Sequence, residues 1–229
     1  MKPEYLQLSP LTGELVWKTS PSDELLSFQS GYFRFLENHW SANLLDFRMG
    51  FTRISLVWKD KQAHLEFLGS FPSLDPKPIP LSEKIWEVPV CYESVMAPDL
   101  LELAEGKQLT ISQFVELHTS PYYRIHFFGF LPGFFYLNGL PEILHAPRKS
   151  VPSRSVPRGS VAIGGSQTGI YPGESPGGWH LIGRTPVSLF NSQTDPPVWA
   201  RPGERIKFVP ISASQYQKRS FSKPNLLKG

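Results

Sequence analysis

Hydrophobic and polar positions change period several times along the first part of the chain. Between Ser22 and His39 the apolar residues Leu25, Phe28, Tyr32 and Leu36 recur at helical spacing, which predicts a helix with one face on a core. Ser22, followed by Asp23 and Glu24, marks its start, where a hydroxyl caps free amides and negative charge suits the helix dipole. Gly31 weakens this helix modestly. GELVWKT (13–19) reads as a strand, and FTRISLVWK (51–59) alternates Arg53, Ser55 and Val57 with Ile54, Leu56 and Trp58, the period of two of a further strand. The next segment, FPSLDPKPIPLS (71–82), holds four prolines, which neither a helix nor a central strand tolerates. A helix covering a sheet, closed by that segment, predicts a small α+β domain over residues 1–85.

The second part opens with the apolar run of KIWEVPVCY, a buried strand, followed by two short helices. Pro98 and Gly106 bracket the first, and Thr110 with Gln113 writes a capping box for the second, which ends near His118. From Tyr122 onward, short apolar runs (YRIHFFGF, SVAIGG, HLIGRTPVSLF, RIKFVPI) alternate with Gly/Pro turns, the pattern of a small barrel or sandwich. This assigns residues 86–215 to a β-domain. The polar, basic residues 216–229 are expected to form a flexible tail.

Composition adds limits. The chain has 229 residues, of which 40% are hydrophobic, enough for one large or two small cores. No run approaches the roughly 18 apolar residues of a membrane span, and no secretory leader is visible, so a cytoplasmic protein without membrane contact is expected. The single cysteine, Cys91, excludes an internal disulfide and suits a buried strand position. The formal charge of +3 is too small to suggest nucleic acid, but it is unevenly spread. Residues 120–190 carry six Lys/Arg against two Asp/Glu, which favours a small anionic ligand over a long polyanion. The six histidines never fall at ligand spacing with a carboxylate, and no G-x-S-x-G occurs, so no metal site and no hydrolase triad is expected.

Two loops are candidates for chemistry. SVAIGGSQTGIYPGESPGGWHLIGRTP (160–186) contains seven glycines, whose backbone amides suit an anion nest. It lacks the GK[ST] of a P-loop and the helix of a dinucleotide site, because Pro172 and Pro176 forbid one. GFLPGFFYLNGL (129–140) interleaves aromatics with Gly and Pro and reads either as a pocket wall or as a tight barrel corner, with each phenylalanine assigned to packing. Between them, PRKSVPSRSVPRGS (147–160) reads as part of the same domain and not as a PxxP linker.

In order along the chain, VPVCY, LHTSPYYR, FFGFLPGFFYL, PRKSVPSRSVPRGSVAIGGSQTGIYP, SPGGWHLIGRTP and PGERIKFVPI resemble the family of the 5-oxoprolinase B component. That family also takes in a sporulation histidine-kinase inhibitor and the carboxyltransferase region of urea carboxylases, or allophanate hydrolase subunit 1. The resemblance is dense from Val88 to Ile211, and VCYES departs from the VCYGG-like turn of the family. It implies an N-terminal α+β domain and a cyclophilin-like β-barrel. It also implies one component of an ATP-dependent lactam hydrolase that opens 5-oxoproline to L-glutamate, with a paralogous C component and a third subunit. ATP, with Mg as counter-ion, is expected to bind the complex and not necessarily this chain. The alternatives are a carboxyltransferase component acting on urea or a related amide, and a non-enzymatic inhibitor of a sensor histidine kinase.

On the matching motifs, His118, Gln167 and Arg184 are the expected catalytic residues, with His118 as general base. Arg154 is expected to hold a carboxylate or phosphate with Arg184. Thr168, with the Gly164, Gly165 and Gly169 backbone, is expected to bond the lactam or an acyl-phosphate oxygen, and Tyr171 and Trp179 to wall the substrate.

Overall fold

The computed structural model describes residues 1–218 and 223–228. The chain divides into two compact units, Met1–Leu81 and Ser82–Gly229, each with its own core.

In the first unit, β1 (Glu4–Ser9), β2 (Thr12–Val16), β3 (Leu44–Met49) and β4 (Arg53–Trp58) form an antiparallel sheet in the order β1-β2-β4-β3. Helix α1 (Asp23–Trp40) starts at Ser22, whose Oγ accepts the Leu25 amide at 3.1 Å. Helix α2 (Lys61–Ser70), which the periodicity had not suggested, starts at Asp60, whose carboxylate accepts the Ala63 amide at 2.8 Å. Leu25, Tyr32 and Leu36 of α1 pack with Ile54, Leu56 and Trp58 of β4 and Phe67 of α2. The proline-rich segment is not a loose linker. Ser27 and Ile79 exchange hydrogen bonds at 2.6 and 3.0 Å, and the Lys77 carbonyl lies where a Cβ on Gly31 would sit. The glycine that looks unfavourable inside α1 is what lets that strand-like segment lie against it.

The second unit is built from β5 (Ile85–Cys91), two short helices α3 (Leu100–Gly106) and α4 (Ile111–Thr119), and then β6 (Tyr123–Phe128), β7 (Phe135–Asn138), β8 (Ser153–Val156), β9 (Ser160–Gly164), β10 (Gln167–Ile170), β11 (Ser175–Gly177), β12 (His180–Arg184), β13 (Arg205–Ile211), α5 (Ala213–Lys218) and β14 (Asn225–Lys228). The predicted capping box opens α4, with Thr110 and Gln113 bonding reciprocally. Among the described residues, seven strands close into a barrel in the order β5-β13-β6-β7-β10-β9-β12, and β12 returns to β5 through Arg184 and Cys91. The α+β class and the barrel match the expectation from sequence.

The tail departs from its expectation. Residues 225–228 are a strand antiparallel to β5, with Asn225 opposite Glu87 and Leu226 opposite Trp86. The physical reason is an open edge: β12 meets β5 only at Cys91, so the backbone of Ile85–Glu87 on that side needs another partner. Residues 219–222 and 229 of the expected flexible tail lie outside the described residues.

Strand alternation gives the barrel two apolar faces. Val161, Ile163, Ile170, Ile182, Phe135 and Leu137 point into the main core, while Phe134, Ala162, Tyr171 and Leu181 form a separate cluster with Trp179. Every residue of β9 is therefore buried.

Candidate functional site

The outer cluster supports a cleft of about 320 Å³, lined by Phe130, Phe134, Tyr136, Arg148, Lys149, Pro152, Tyr171 and the segment Pro176 to Trp179. Three stretches distant in sequence converge here: the aromatic loop, the basic proline-rich segment and the glycine-rich loop. Phe134 stands edge-on to both Tyr171 and Trp179, with centroids 5.4 and 5.5 Å away. Trp179 lies flat on β9 and β10. A Cβ on Gly164 would sit 2.5 Å from its indole, and one on Gly169 3.1 Å away, so these glycines serve close packing of the tryptophan.

Phe130 occupies the rim in an unusual backbone state. The Leu131 amide donates to the Gly129 carbonyl at 2.8 Å, a three-residue turn centred on Phe130, which has φ +66°. A positive φ at a bulky residue is strained, by about 1–3 kcal/mol. The turn sets the 59% exposed ring 5.5 Å from Phe134 and 6.1 Å from Tyr171.

The basic segment is tied down on both sides of Arg148. Ala146 and Gly165 exchange backbone hydrogen bonds at 3.0 and 2.6 Å, His180 Nε2 lies 2.9 Å from the Pro147 carbonyl, and the Lys149 amide donates to Gly178 at 2.8 Å. Lys149 Nζ pairs with Asp99 Oδ2 at 2.6 Å, and that oxygen also accepts the Leu181 amide at 2.6 Å. Arg148 itself makes no ion pair among the described residues, and its guanidinium carbon stands 6.0 Å from the Trp179 ring centroid. Burial raises the Tyr136 and Tyr171 phenols above their ordinary value, with Arg148 pulling both back down and the Trp179 amide doing so for Tyr171. Both are neutral hydroxyls at physiological pH.

The residues expected from sequence divide among different places. Tyr171 and Trp179 meet at the cleft, with Gly164 and Gly169 beneath them, and Gly165 turns the β9–β10 hairpin at φ +66°. Thr168 and His118 meet inside the barrel instead. Thr168 Oγ1 donates to the Ala162 carbonyl at 3.0 Å and so accepts from His118 Nε2 at 3.1 Å, while Tyr92 donates to His118 Nδ1 at 2.8 Å. The ring stacks on Phe208 at 4.9 Å, and it is wholly buried. Desolvation lowers its pKa from 6.5 to about 3. His118 is therefore a neutral core residue with both nitrogens engaged, which corrects its expected role as general base.

Gln167 and Arg184 do not converge either. Gln167 pairs with Gly164 at one end of β9 and Arg184 with Ser160 at the other, a separation of about 13 Å at ~3.3 Å per residue. Arg184 Nε donates to the Arg158 carbonyl at 2.9 Å, and Arg154 is exposed on β8, outside the lining of the cleft. Arg124 of the LHTSPYYR motif is committed to the carbonyls of Ser82 and Gly203 at 2.9 and 2.5 Å. The residues that sequence reasoning passed over are Arg148, Tyr136 and Phe130. The signal for them was present in the acid-poor charge balance of residues 120–190 and in the aromatic loop, read separately.

Curated relatives include the B component of the Bacillus subtilis 5-oxoprolinase, 46% identical over 136 residues (59% of this chain and 57% of that protein). Another is the B component of the Escherichia coli O157:H7 5-oxoprolinase, 52% identical over 124 residues (54% and 57%). The matched segments thus span 57% of the length of these relatives. The crystal structure of the Kluyveromyces lactis urea carboxylase superposes with a TM-score of 0.77 at 14% identity, covering 98% of this chain and 24% of that one, a likeness of fold alone. Residues 19–200 match the family model of the carboxyltransferase domain, subdomain C and D, and the chain belongs to that family.

Proposed function

We propose that this chain acts as the B component of an ATP-dependent 5-oxoprolinase, a lactam hydrolase that opens 5-oxoproline to L-glutamate together with a paralogous C component and a third subunit. The observation that carries this reading is the 46–52% identity to three bacterial proteins named as the B component of 5-oxoprolinase. The cleft supports it, because an aromatic floor beside one uncompensated cation suits a small ring that bears a carboxylate. The fold likeness to urea carboxylase is shared by the carboxyltransferase alternative and does not favour it.

Opening the lactam adds one water across an unreactive amide bond. In the assembled complex, ATP hydrolysis would supply the driving force for this. The residues of this chain do not fit a triphosphate cradle. The Gly165 amide, which an anion nest would need, donates to the Ala146 carbonyl at 2.6 Å, and no metal-holding cluster of His, Cys, Asp or Glu occurs among the described residues. ATP and Mg are therefore assigned to the assembled complex, and this chain to holding and orienting the organic substrate and keeping bulk water from its ring. Cytoplasmic location belongs to the same proposal and is supported by the buried free thiol of Cys91. No helix among the described residues is long and apolar enough to cross a membrane.

The test is reconstitution. With the partner proteins present, 5-oxoproline and ATP should yield glutamate and ADP, and omission of this chain should abolish both products. Undiminished turnover without it would end the proposal.

A further inference from the structure

The charge of the cleft is set by few groups. Among the described residues, Arg148 and Lys149 are the charged side chains in its lining, and no carboxylate lines it. Asp99 neutralises Lys149 at 2.6 Å, which leaves the positive charge of Arg148 to face the cleft. A guanidinium presents paired N–H donors in the geometry of a carboxylate. Around it stand the Trp179 indole and the rings of Phe130 and Phe134, while the buried Tyr171 hydroxyl is held by the Trp179 amide. Its volume of about 320 Å³ lies at the small end of the ~300–1,000 Å³ found for ligand pockets, which suits one small molecule better than a peptide.

We propose that this cleft is a binding subsite for a small ring-bearing carboxylate, with Arg148 as the anion anchor and Trp179 and Phe130 as the apolar walls. The strained turn at Phe130 has a use in this arrangement, because it is what places an exposed aromatic ring over the rim. The choice of 5-oxoproline as the natural ligand rests on the function proposed above, whereas the anion subsite rests on the geometry alone.

Calorimetric titration of the full chain tests it with three probes: 5-oxoproline, cyclopentanecarboxylate, which keeps ring and carboxylate but has no lactam, and pyrrolidinone, which keeps the lactam but has no carboxylate. The acids should bind and pyrrolidinone should bind at least about tenfold more weakly. Arg148→Gln should weaken the acids by about tenfold or more, with Arg148→Lys recovering part of the loss. Phe130→Gly, which relieves the positive φ, should retain thermal stability yet bind the acids more weakly. Binding of cyclopentanecarboxylate but not 5-oxoproline, lost in Arg148→Gln, would uphold the subsite and count against the oxoprolinase reading. Acids that bind Arg148→Gln as tightly as the unmutated chain would overturn the subsite. So would a failure of every acid to bind, with Arg148→Gln instead releasing a partner protein, an outcome that makes the cleft a peptide-docking groove.

Discussion

His118 shows how far a single residue's role depends on surroundings that lie far away in sequence. At the end of α4 it looks like a group that interacts with a helix dipole or takes a proton, yet Tyr92 and Thr168 hold it neutral inside the barrel. Its pH signature follows. The ring's pKa falls from 6.5 to about 3 on folding, so below 6.5 the unfolded chain binds the proton first. The stability it contributes is complete above pH 6.5 and is lost as the pH falls toward 3, by up to on the order of 5 kcal/mol. Denaturant titrations at several pH values should show His118→Gln with a shallower acid slope than the unmutated chain; equal slopes would mean that the ring is accessible to protons. Nothing local in LHTSPYYR announces this burial, because the atoms that decide it come from Tyr92, just past the end of β5, and from Thr168 of β10. Ser22, Asp60 and Thr110 are the opposite case. A cap acts within a few residues of itself, so the Ser22 and Thr110 caps could be read from sequence, and the same logic applied to Asp60 would have found α2.

At the scale of elements, strand alternation explains why one short run serves two cores. SVAIGG looks uniformly apolar because Val161 and Ile163 fill the barrel while Ala162 lies under the aromatic cluster. Its neighbouring glycines suggest an anion nest, but Gly164 and Gly169 leave room for an indole. The basic proline-rich segment likewise acts as a strap rather than a linker, held at Ala146, Pro147 and Lys149. The Lys149–Asp99 pair, with both side chains 18% exposed, anchors it. Lys149→Met should cost about 1–3 kcal/mol of stability, since Asp99 keeps its Leu181 amide but loses its counter-charge. It should also weaken acid binding by releasing Arg148 from its place over Trp179. Thermal denaturation beside ligand titration checks both effects, and a variant that is destabilised but binds normally would show that the strap has no positioning role. The sequence marked these loops as unusual but not as one site, because their meeting is set by the order β7-β10-β9-β12.

For the whole molecule, the barrel unit contains the cleft entirely, and the motifs that resemble the oxoprolinase B family lie within it. On the function proposed above, this chain would hold the organic substrate while partner subunits handle the nucleotide. The most direct measurement is steady-state kinetics of the reconstituted complex containing Arg148→Gln. An anchor that holds ground state and transition state alike raises KM without lowering kcat. The KM for 5-oxoproline should rise by about tenfold or more, with kcat within about threefold and KM for ATP unchanged. An unchanged KM for 5-oxoproline in an active complex would contradict this role of Arg148.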